Sequence, residues 1–296
     1  MKFSSFKITI TALCILSLGA CTQPELDDDF IVGAAPKIGE YNTSADVASA
    51  NLVAYFPFEG SNADAKGGVT GGKTVGNPTY VTGRKGKAYK GADGAFFSYD
   101  NPGPIATLTS YTTSMWLNTQ KHTDGAESVF VVVKDDKSFW GNFFMLIEGN
   151  GSGNNKMHMK LHFEKNSPAV PNVEHWVDLP EDMRPDNMYG GWKHVAFTYD
   201  AATSKHAWFI NGQKWNIGDR EERKSGVGTA GLGALSFKAA TKFVIGGFQQ
   251  HLGGSFGGAD VWMRNYRGAM DEFRIYNKAL TAQEINALFQ LEIQGR

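Results

Sequence analysis

Cysteine is scarce in this sequence, and its scarcity limits how the fold can be held together. Only Cys14 and Cys21 occur among the 296 residues. Cys14 lies in a leading segment that we expect to be removed, which leaves a single thiol at the start of the mature chain. A disulfide framework is therefore excluded, and the fold must rest on a hydrophobic core, which a chain of this length can supply.

An excess of positive charge is also missing. Lys and Arg number 29 against 30 Asp and Glu, giving a formal net charge of −1, and no Lys/Arg-rich run occurs in the part expected to fold. Binding to phosphate backbones needs a concentrated basic field. The composition therefore argues against nucleic acid as a partner.

The sequence has no apolar run long enough to cross a membrane, and its one clear run is part of a targeting segment. The run at 8–18 follows a basic start and is shorter than the roughly 20 residues that a spanning helix needs. Residues 1–20 are therefore predicted to be a signal peptide. The stretch LGAC at 18–21 resembles the lipobox of bacterial lipoproteins, which implies a lipid on Cys21 as the only membrane contact. A plain secretory signal is the alternative.

Residues 21–50 have no sustained periodicity and are rich in acidic and small residues, which predicts a flexible acidic tether. The acidic stretch ELDDD at 25–29 resembles the surface-export signal of lipoproteins in Bacteroidota-type bacteria. The resemblance implies a lipid-anchored outer-membrane protein exposed at the cell surface. A solvated run of charges would explain the same residues.

Helical periodicity is nearly absent from residues 51–293, where short β-branched and aromatic runs alternate with Gly, Asn and Asp. This pattern is typical of an all-β sandwich or barrel. In the stretch KMHMKLHFEK at 156–165, Met, Leu and Phe alternate with His, Lys and Glu, which predicts one packed and one wet face. Asn211-Gly212 is a favoured two-residue hairpin turn.

The closing stretch GAMDEFRIYNKALTAQEINALF, at 268–289, predicts a strand followed by a helix. Strict alternation would send Asp271 to the core face and Glu272 to the opposite face, so the two could not act as an acid/base pair. Burial of Asp271 would then need compensation by backbone N–H groups, a cation or a metal. Thr281 and Glu284 form a capping box that starts the helix.

Several motifs occur in an order similar to that of the laminin-G-like, concanavalin A-like jelly-roll family. The resemblance implies a two-sheet antiparallel sandwich over residues 51–293, with one short C-terminal helix. The segments that carry it are LVAYFPFEGSNADAKGG at 52–68, GKAYKGADGAFFSY at 86–99, YTTSMWLNT at 111–119, WKHVAFTYD at 192–200, WFINGQ at 208–213, FVIGGF at 243–248 and YRGAMDEFRIYNKALTAQEINALF at 266–289.

A structural calcium ion is one implication of this resemblance, because many such jelly rolls hold one near the first and last strands. Glu59, Asp64 and Asp271 occupy the matching positions, and carboxylate oxygens suit that ion. Dense Asp-x-Asp-x-Asp spacing is missing. An Asx turn at Asp64 and a hydrogen-bonded acid at Asp271 are the alternatives.

Catalytic motifs are missing as well. The glycosidases of this superfamily carry Glu-x-Asp-x-(x-)Glu on one strand face, and no such strand is present. The acidic pairs at 135–136 and 181–182 are predicted to lie in solvated loops, and no Gly-x-Ser-x-Gly elbow occurs. We therefore assign no catalytic residue.

Aromatic residues near variable loops are the remaining candidates, because a flat indole packs against the C–H faces of sugars. Trp140, Trp176 and Trp262 are predicted to bind ligand together with Arg264, and the Gly-rich stretch before Trp262 could allow close approach. Anchoring of loops onto the sandwich would explain the same tryptophans. These residues predict non-catalytic binding of a glycan or polysaccharide; the alternatives are a glycoside hydrolase with loop-borne acids and a protein-binding adhesion module.

Overall fold

The computed structural model describes residues 35–167, 170–226 and 228–296, with side chains from 173 onward in the second range. Residues 1–34, which include the expected signal peptide, Cys21 and the acidic stretch at 25–29, lie outside the described residues. Within the described part, sixteen strands and one α-helix follow in chain order, with short 3₁₀ turns between them. This composition confirms the all-β prediction.

The strands and helices have the following bounds. The strands are β1 Leu52–Phe56, β2 Thr70–Val75, β3 Thr79–Thr82, β4 Lys87–Lys90, β5 Phe96–Asn101, β6 Tyr111–Asn118, β7 Ala126–Val132, β8 Phe143–Glu148, β9 His158–Ser167, β10 Val170–Asp178, β11 Lys193–Asp200, β12 Lys205–Ile210, β13 Gln213–Trp215, β14 Phe243–Ile245, β15 Met263–Asn265 and β16 Ala269–Tyr276. The α-helix is α1 Ala282–Ile293, and the 3₁₀ turns are Ser44–Asp46, Ser49–Asn51, Gly103–Thr107, Glu181–Met183, Gly218–Glu221, Gln249–Leu252 and Gly254–Phe256.

Two eight-stranded sheets make up the sandwich. Sheet 1 has the order β13-β12-β11-β6-β16-β4-β3, with β1 paired to β16. Sheet 2 has the order β10-β9-β8-β7-β14-β5-β2, with β15 paired to β7. All pairings between these strands are antiparallel except the short one between β15 and β7. Strands that are distant in sequence thus become neighbours, as a jelly roll requires.

Strand alternation places one face of each sheet in a shared core. Met159, Leu161 and Phe163 of β9 are buried there, as predicted, and Tyr199 of β11 meets Phe163 from sheet 1 with ring centroids 5.3 Å apart. Each such apolar side chain stabilises the fold by about 1.5–3 kcal/mol relative to an exposed one. The opposite faces of the two sheets are the outer faces of the sandwich.

The closing strand β16 departs from strict alternation at Glu272. This residue has a φ of 52°, and the pairing of β16 with β6 shifts register between Asp271 and Arg274. The extra residue of this β-bulge places Asp271 opposite Trp116, away from the core position of Phe273. The prediction that Asp271 shares the core face is therefore wrong, because a two-residue period does not continue through a bulge.

The helix α1 covers the outer face of sheet 1. Its capping box is formed as predicted: the Thr281 hydroxyl accepts from the Glu284 N–H at 3.1 Å, and the Glu284 carboxylate accepts from the Thr281 N–H at 2.7 Å. Ile285 and Leu288 are fully buried against Phe209 and other residues of sheet 1. The helix therefore closes this face by apolar packing.

Part of the predicted tether packs beside α1. The folded unit begins at Pro36, whereas the sequence places the domain start at residue 51. Val47 is fully buried in the same cluster as the helix, and the Ser44 N–H donates to the Arg296 carbonyl at 3.3 Å. One buried side chain and a few backbone bonds leave no periodic signal in the sequence, so pattern alone does not indicate that this segment packs beside the helix.

Candidate functional site

The outer face of sheet 2, which we call the open face, has no covering helix in the described part of the chain. Alternation along β8 sends Phe143 and Met145 to the core and Phe144 and Leu146 to this open face. A second apolar cluster forms there around Phe144, Leu146 and Val131. Its outer layer consists of aromatic side chains that are only partly buried.

Three tryptophans form most of that layer, and we call Phe139, Trp140, Trp176 and Trp262 the tryptophan patch. The rings of Trp140 and Trp176 meet edge to face with centroids 5.0 Å apart, and those of Trp140 and Trp262 lie 6.1 Å apart. Phe139 extends the patch at 6.4 Å from Trp262 and is 48% exposed. The structure thus brings together three tryptophans that are spread over more than one hundred positions of the sequence.

Strand and loop geometry hold each ring differently. Trp176 lies within β10 and not in a loop, and its ring meets Phe144 of β8 edge to face at 5.3 Å. Trp262 directly precedes β15, and its carbonyl accepts from the Ala126 N–H of β7 at 2.9 Å. Trp140 lies in the loop between β7 and β8, where it stacks on Phe144 at 5.3 Å. Phe144 is therefore the common base of Trp140 and Trp176, whereas Trp262 packs on Phe248 at 5.6 Å.

Buried amides fix the loop that carries Phe139 and Trp140. The Gln249 side chain donates to the Ser138 carbonyl at 2.8 Å, and that of Gln250 donates to the Phe139 carbonyl at 2.6 Å. At Gly141 an added Cβ would lie 2.7 Å from a backbone carbonyl, so only glycine allows this close approach. A loop held in this way presents its rings without a large ordering cost on binding.

Arg264, the fourth predicted ligand-binding residue, lies in an ion-pair cluster and has no ring contact with the patch. Its Nε is 3.3 Å from the Asp124 carboxylate, which also pairs with Arg267 at 2.7 Å. The Arg267 hydrogen bond lowers the pKa of Asp124 to about 2, so this carboxylate stays charged near neutral pH. The prediction that Arg264 shares a strand face with Trp262 fails, because Trp262 lies outside β15.

A polar cluster that sequence reasoning missed lies beside Trp176. Alternation along β9 predicts a wet face for His162 and Glu164, yet both are fully buried. The His162 ring stacks on Phe144 at 4.5 Å and meets Trp176 at 4.8 Å, while the Lys134 ammonium lies 2.9 Å from the Glu164 carboxylate. Aromatic cover and a buried counter-charge therefore replace the expected solvent.

The predicted calcium ligands all accept hydrogen bonds from backbone N–H groups. Both carboxylate oxygens of Asp64 accept backbone N–H groups, including those of Tyr55 and Val69 at 2.8 and 2.9 Å. Glu59 accepts the N–H group of Lys87, the first residue of β4, and Asp271 accepts that of Lys85 in the preceding turn, each at 2.9 Å. Calcium takes six to eight oxygen ligands. Each of the three carboxylates therefore has a role in holding the backbone, and the calcium site stays a prediction.

Asp271 is nevertheless in an unusual electrostatic setting. Burial is the main cause that raises its pKa to about 7; the neighbouring charge of Glu272 adds to this rise, and backbone hydrogen bonds from Lys85 and others oppose it. It pairs with Trp116 of β6 in sheet 1, whereas the tryptophan patch lies on sheet 2. This group therefore affects stability and not the open face.

The acidic loop pairs have structural partners. Asp136 accepts from the Ser138 N–H at 3.1 Å and pairs with Lys238 at 3.0 Å, while Asp135 accepts from the Ser255 hydroxyl at 3.2 Å. Glu181 accepts from the Asn154 side chain. These carboxylates shape loops, and their contacts give no sign of an acid/base pair.

The two sheets and the half-exposed aromatic patch on one of them define a sandwich of lectin-like architecture. Residues 91–286 match the family model Laminin_G_3, described as the concanavalin A-like lectin/glucanases superfamily. This match covers more than half of the chain, so the protein belongs to that family. Comparison with the curated proteins found no match.

Solved structures share the fold at low identity. Domain 4 of AbnA, a GH43 extracellular arabinanase from Geobacillus stearothermophilus, in complex with arabinotriose, is 19% identical with a TM-score of 0.52, over 80% of this chain and 98% of that chain. Botulinum neurotoxin type C, whose cell entry depends on interaction with two ganglioside molecules, is 13% identical with a TM-score of 0.55, over 84% of this chain and 52% of that chain. The binding domain of botulinum neurotoxin DC in complex with SialylT is 13% identical with a TM-score of 0.51, over the same shares. This chain thus spans about half of each toxin chain, and the likeness establishes the fold.

Proposed function

We propose that this protein binds glycans without catalysis and that the tryptophan patch is its binding surface. The convergence of Trp140, Trp176 and Trp262 on one open sheet face is the observation that carries the proposal. Partly exposed indoles offer flat apolar surfaces to sugar C–H groups. Their fixed positions reduce the ordering cost of binding.

Polar groups around the patch are suited to sugar hydroxyls. The Glu174 side chain is 42% exposed beside Trp176, and its carboxylate can accept hydroxyl protons. Asp135 and Ser255 lie on the Trp140 side, in the loops that carry or precede patch residues. A Cβ added to any of the glycines at 253, 254, 257 and 258 would meet no heavy atom within 4 Å, so these backbones leave room for a ligand.

The solved relatives agree with carbohydrate binding by this kind of sandwich. One is a domain of an arabinanase in complex with arabinotriose, and others are botulinum neurotoxins, one of which depends on two ganglioside molecules for cell entry. Their low identity to this chain leaves the ligand to be established directly. The family description, which includes both lectins and glucanases, supports a carbohydrate ligand in the same way.

A hydrolytic alternative would need two carboxyl groups with different proton affinities. Glu164 and Glu174 face each other across β9 and β10 near the patch. Glu164 is fully buried and paired with Lys134, so it is poorly placed to reach a glycosidic bond. The pKa of Glu174 is lowered, first by its interaction with His162, which is the opposite of what a general acid needs. These features favour binding over hydrolysis.

The site can be tested by glycan retention on a polysaccharide panel, with release of reducing ends scored in the same assay. We expect retention without release, and Trp140→Ala, Trp176→Ala and Trp262→Ala should each weaken binding about tenfold, near 1.4 kcal/mol. Trp192→Ala is the matched control, since Trp192 is also partly buried but precedes β11 of sheet 1. Release of reducing ends would contradict the non-catalytic proposal, and silence on all glycans would favour the protein-adhesion alternative.

Anchoring at the outer membrane, with exposure at the cell surface, completes the proposal. The lipobox-like stretch at 18–21 supports a lipid on Cys21, and in the described part of the chain no helix is long and apolar enough to cross a membrane. Globomycin-type inhibition of lipoprotein processing should raise the mass of the cellular protein by retention of its signal peptide. An unchanged mass and membrane partition would contradict acylation. A structural calcium ion stays a prediction that chelation would test.

A further inference from the structure

Three potential metal ligands meet at the edge of the open face, outside the predicted calcium site. His162 and Glu164 are two residues apart on β9 and therefore share one face, and Glu174 lies opposite Glu164 on β10. One ligand atom from each of the three lies within 4.8 Å of the others. Two neighbouring strands thus supply one imidazole and two carboxylates to the same point.

The state of His162 distinguishes this cluster from an ordinary group of surface acids. Its ring is fully buried, and neither ring nitrogen has a hydrogen-bond partner. Nε2 points toward Glu174 at 3.7 Å, which is too long for a hydrogen bond. Burying an imidazole without hydrogen-bond partners costs free energy. A ligand bound between His162 and Glu174 would remove part of that cost.

The geometry around Nε2 suits metal binding as well. Neither ring nitrogen of His162 has a hydrogen-bond partner, so Nε2 can offer a lone pair to an ion. Glu174 is 42% exposed, which lets its carboxylate move toward Nε2 and lets ions enter from solvent. One nitrogen and two carboxylates form a donor set for Zn²⁺ and related ions, whereas Ca²⁺ prefers oxygen ligands alone.

We propose that His162, Glu164 and Glu174 form a divalent transition-metal site, with Zn²⁺ as the ion that fits best. Lys134 is its internal competitor, because its ammonium lies 2.9 and 3.1 Å from the two Glu164 oxygens. The Asn166 amide also donates to Glu164 at 2.7 Å and orients the carboxylate. Since Nδ1 of His162 lacks a supporting acceptor, the affinity should be about 10- to 100-fold weaker than at a fully supported site.

The site goes beyond glycan binding and can be tested with the metal alone. The untagged full chain, stripped of metal, is titrated with Zn²⁺ by calorimetry, and Co²⁺ is used as a spectroscopic probe. We expect one Zn²⁺ per chain and a change in tryptophan fluorescence, because the His162 ring contacts Trp176 at 4.8 Å. Ca²⁺ at the same concentrations should neither change the tryptophan fluorescence nor reduce the binding of Zn²⁺.

Variants decide whether these residues are the ligands. His162→Gln and Glu174→Gln should each weaken Zn²⁺ binding at least tenfold, and Lys134→Met should strengthen it by removing the competing ammonium. Glu174 is exposed, so its variant is expected to fold even if the His162 variant does not. His122→Gln is the matched control, because His122 also lies near two carboxylates, at 3.5 and 3.9 Å.

Three results would overturn the assignment. They are no Zn²⁺ binding by the parent chain, unchanged binding by Glu174→Gln, or loss of binding in His122→Gln instead. Glycan retention is measured separately on metal-free protein, so failure of the metal site leaves the tryptophan patch untouched. Conversely, a chain that binds Zn²⁺ but no glycan would keep the metal site and contradict the proposed function.

Discussion

The two outer faces of the sandwich differ in how far other parts of the chain cover them. On sheet 1, the helix α1 and the segment around Val47 bury the surface, and Leu288 and Leu291 of the helix have no exposed area. On sheet 2, the tryptophan patch leaves Phe139 48% exposed and the adjacent Val261 89% exposed. A sandwich needs only its inner faces to fold, so aromatic area left on one outer face is available for recognition.

The charged groups of the two faces also differ in their exposure to solvent. Behind α1, Arg274 forms ion pairs with Glu272, at 2.6 Å, and with Glu292, and all three are nearly inaccessible to solvent. On the open face Lys134 neutralises Glu164, but Glu174 keeps its exposed carboxylate. The ion pairs of the covered face are thus buried, whereas the open face retains a charged group that a ligand can reach.

Removal of the buried cation should give the largest stability loss. Arg274→Met leaves the carboxylates of Glu272 and Glu292 buried without their counter-charge and removes the contact of the guanidinium with the Tyr55 ring at 4.2 Å. We expect the free energy of unfolding to fall by about 3–5 kcal/mol. Urea unfolding of parent and variant measures the change.

A partly exposed ion pair in sheet 2 supplies the matching control. Arg264→Met removes a half-exposed pair with Asp124 and should change the free energy of unfolding by no more than about 1 kcal/mol. Equal losses in the two variants would contradict the distinction between a closed and an accessible charge network. Glycan retention per folded molecule should be the same for Arg274→Met and the parent.

A smaller, pH-dependent effect is expected from Asp271. Burial raises its folded-state pKa from 3.8 to about 7, so the folded chain binds this proton more tightly than the unfolded chain does. Its contribution is fully favourable below the unfolded pKa and is lost as the pH rises through about 7. Between pH 5 and 8 the parent should lose on the order of 2–3 kcal/mol that Asp271→Asn does not lose.

The slope of stability against pH is the quantity to compare, since the amide also changes backbone hydrogen bonds at this position. Thermal unfolding of the parent and of Asp271→Asn at several pH values provides both slopes. Parallel slopes would show that Asp271 is ionised in the folded chain throughout the range. The glycan affinity over the same pH range should be the same for the parent and Asp271→Asn, because this residue belongs to sheet 1.

Local signals predict most of the fold. The alternation in β9 identifies its buried apolar face, and the Thr281 and Glu284 box identifies the start of α1, because both depend on residues close in sequence. Local sequence patterns do not predict the bulge at Glu272. Its φ of 52° lies in the left-handed region, which glutamate rarely adopts. A single non-glycine residue gives no warning of the change in register.

The sequence predicts the individual residues of the candidate site but not that they lie together. Trp140, Trp176 and Trp262 can be selected as aromatic residues near loops, but their meeting depends on the pairing of β7, β8, β9, β10 and β15, which local patterns do not determine. The burial of Glu164 escapes prediction for the same reason, because its counter-charge Lys134 comes from the segment after β7.

Protection of individual tryptophans by a retained glycan would test the central claim most directly. Limited oxidation with N-bromosuccinimide, mapped by peptide mass spectrometry, reports each indole with and without glycan. The open-face account predicts protection of Trp140, Trp176 and Trp262, with no change at the partly buried Trp192 and Trp215. Protection of Trp192 or Trp215, with the patch still oxidised at its original rate, would place the ligand elsewhere and contradict the account.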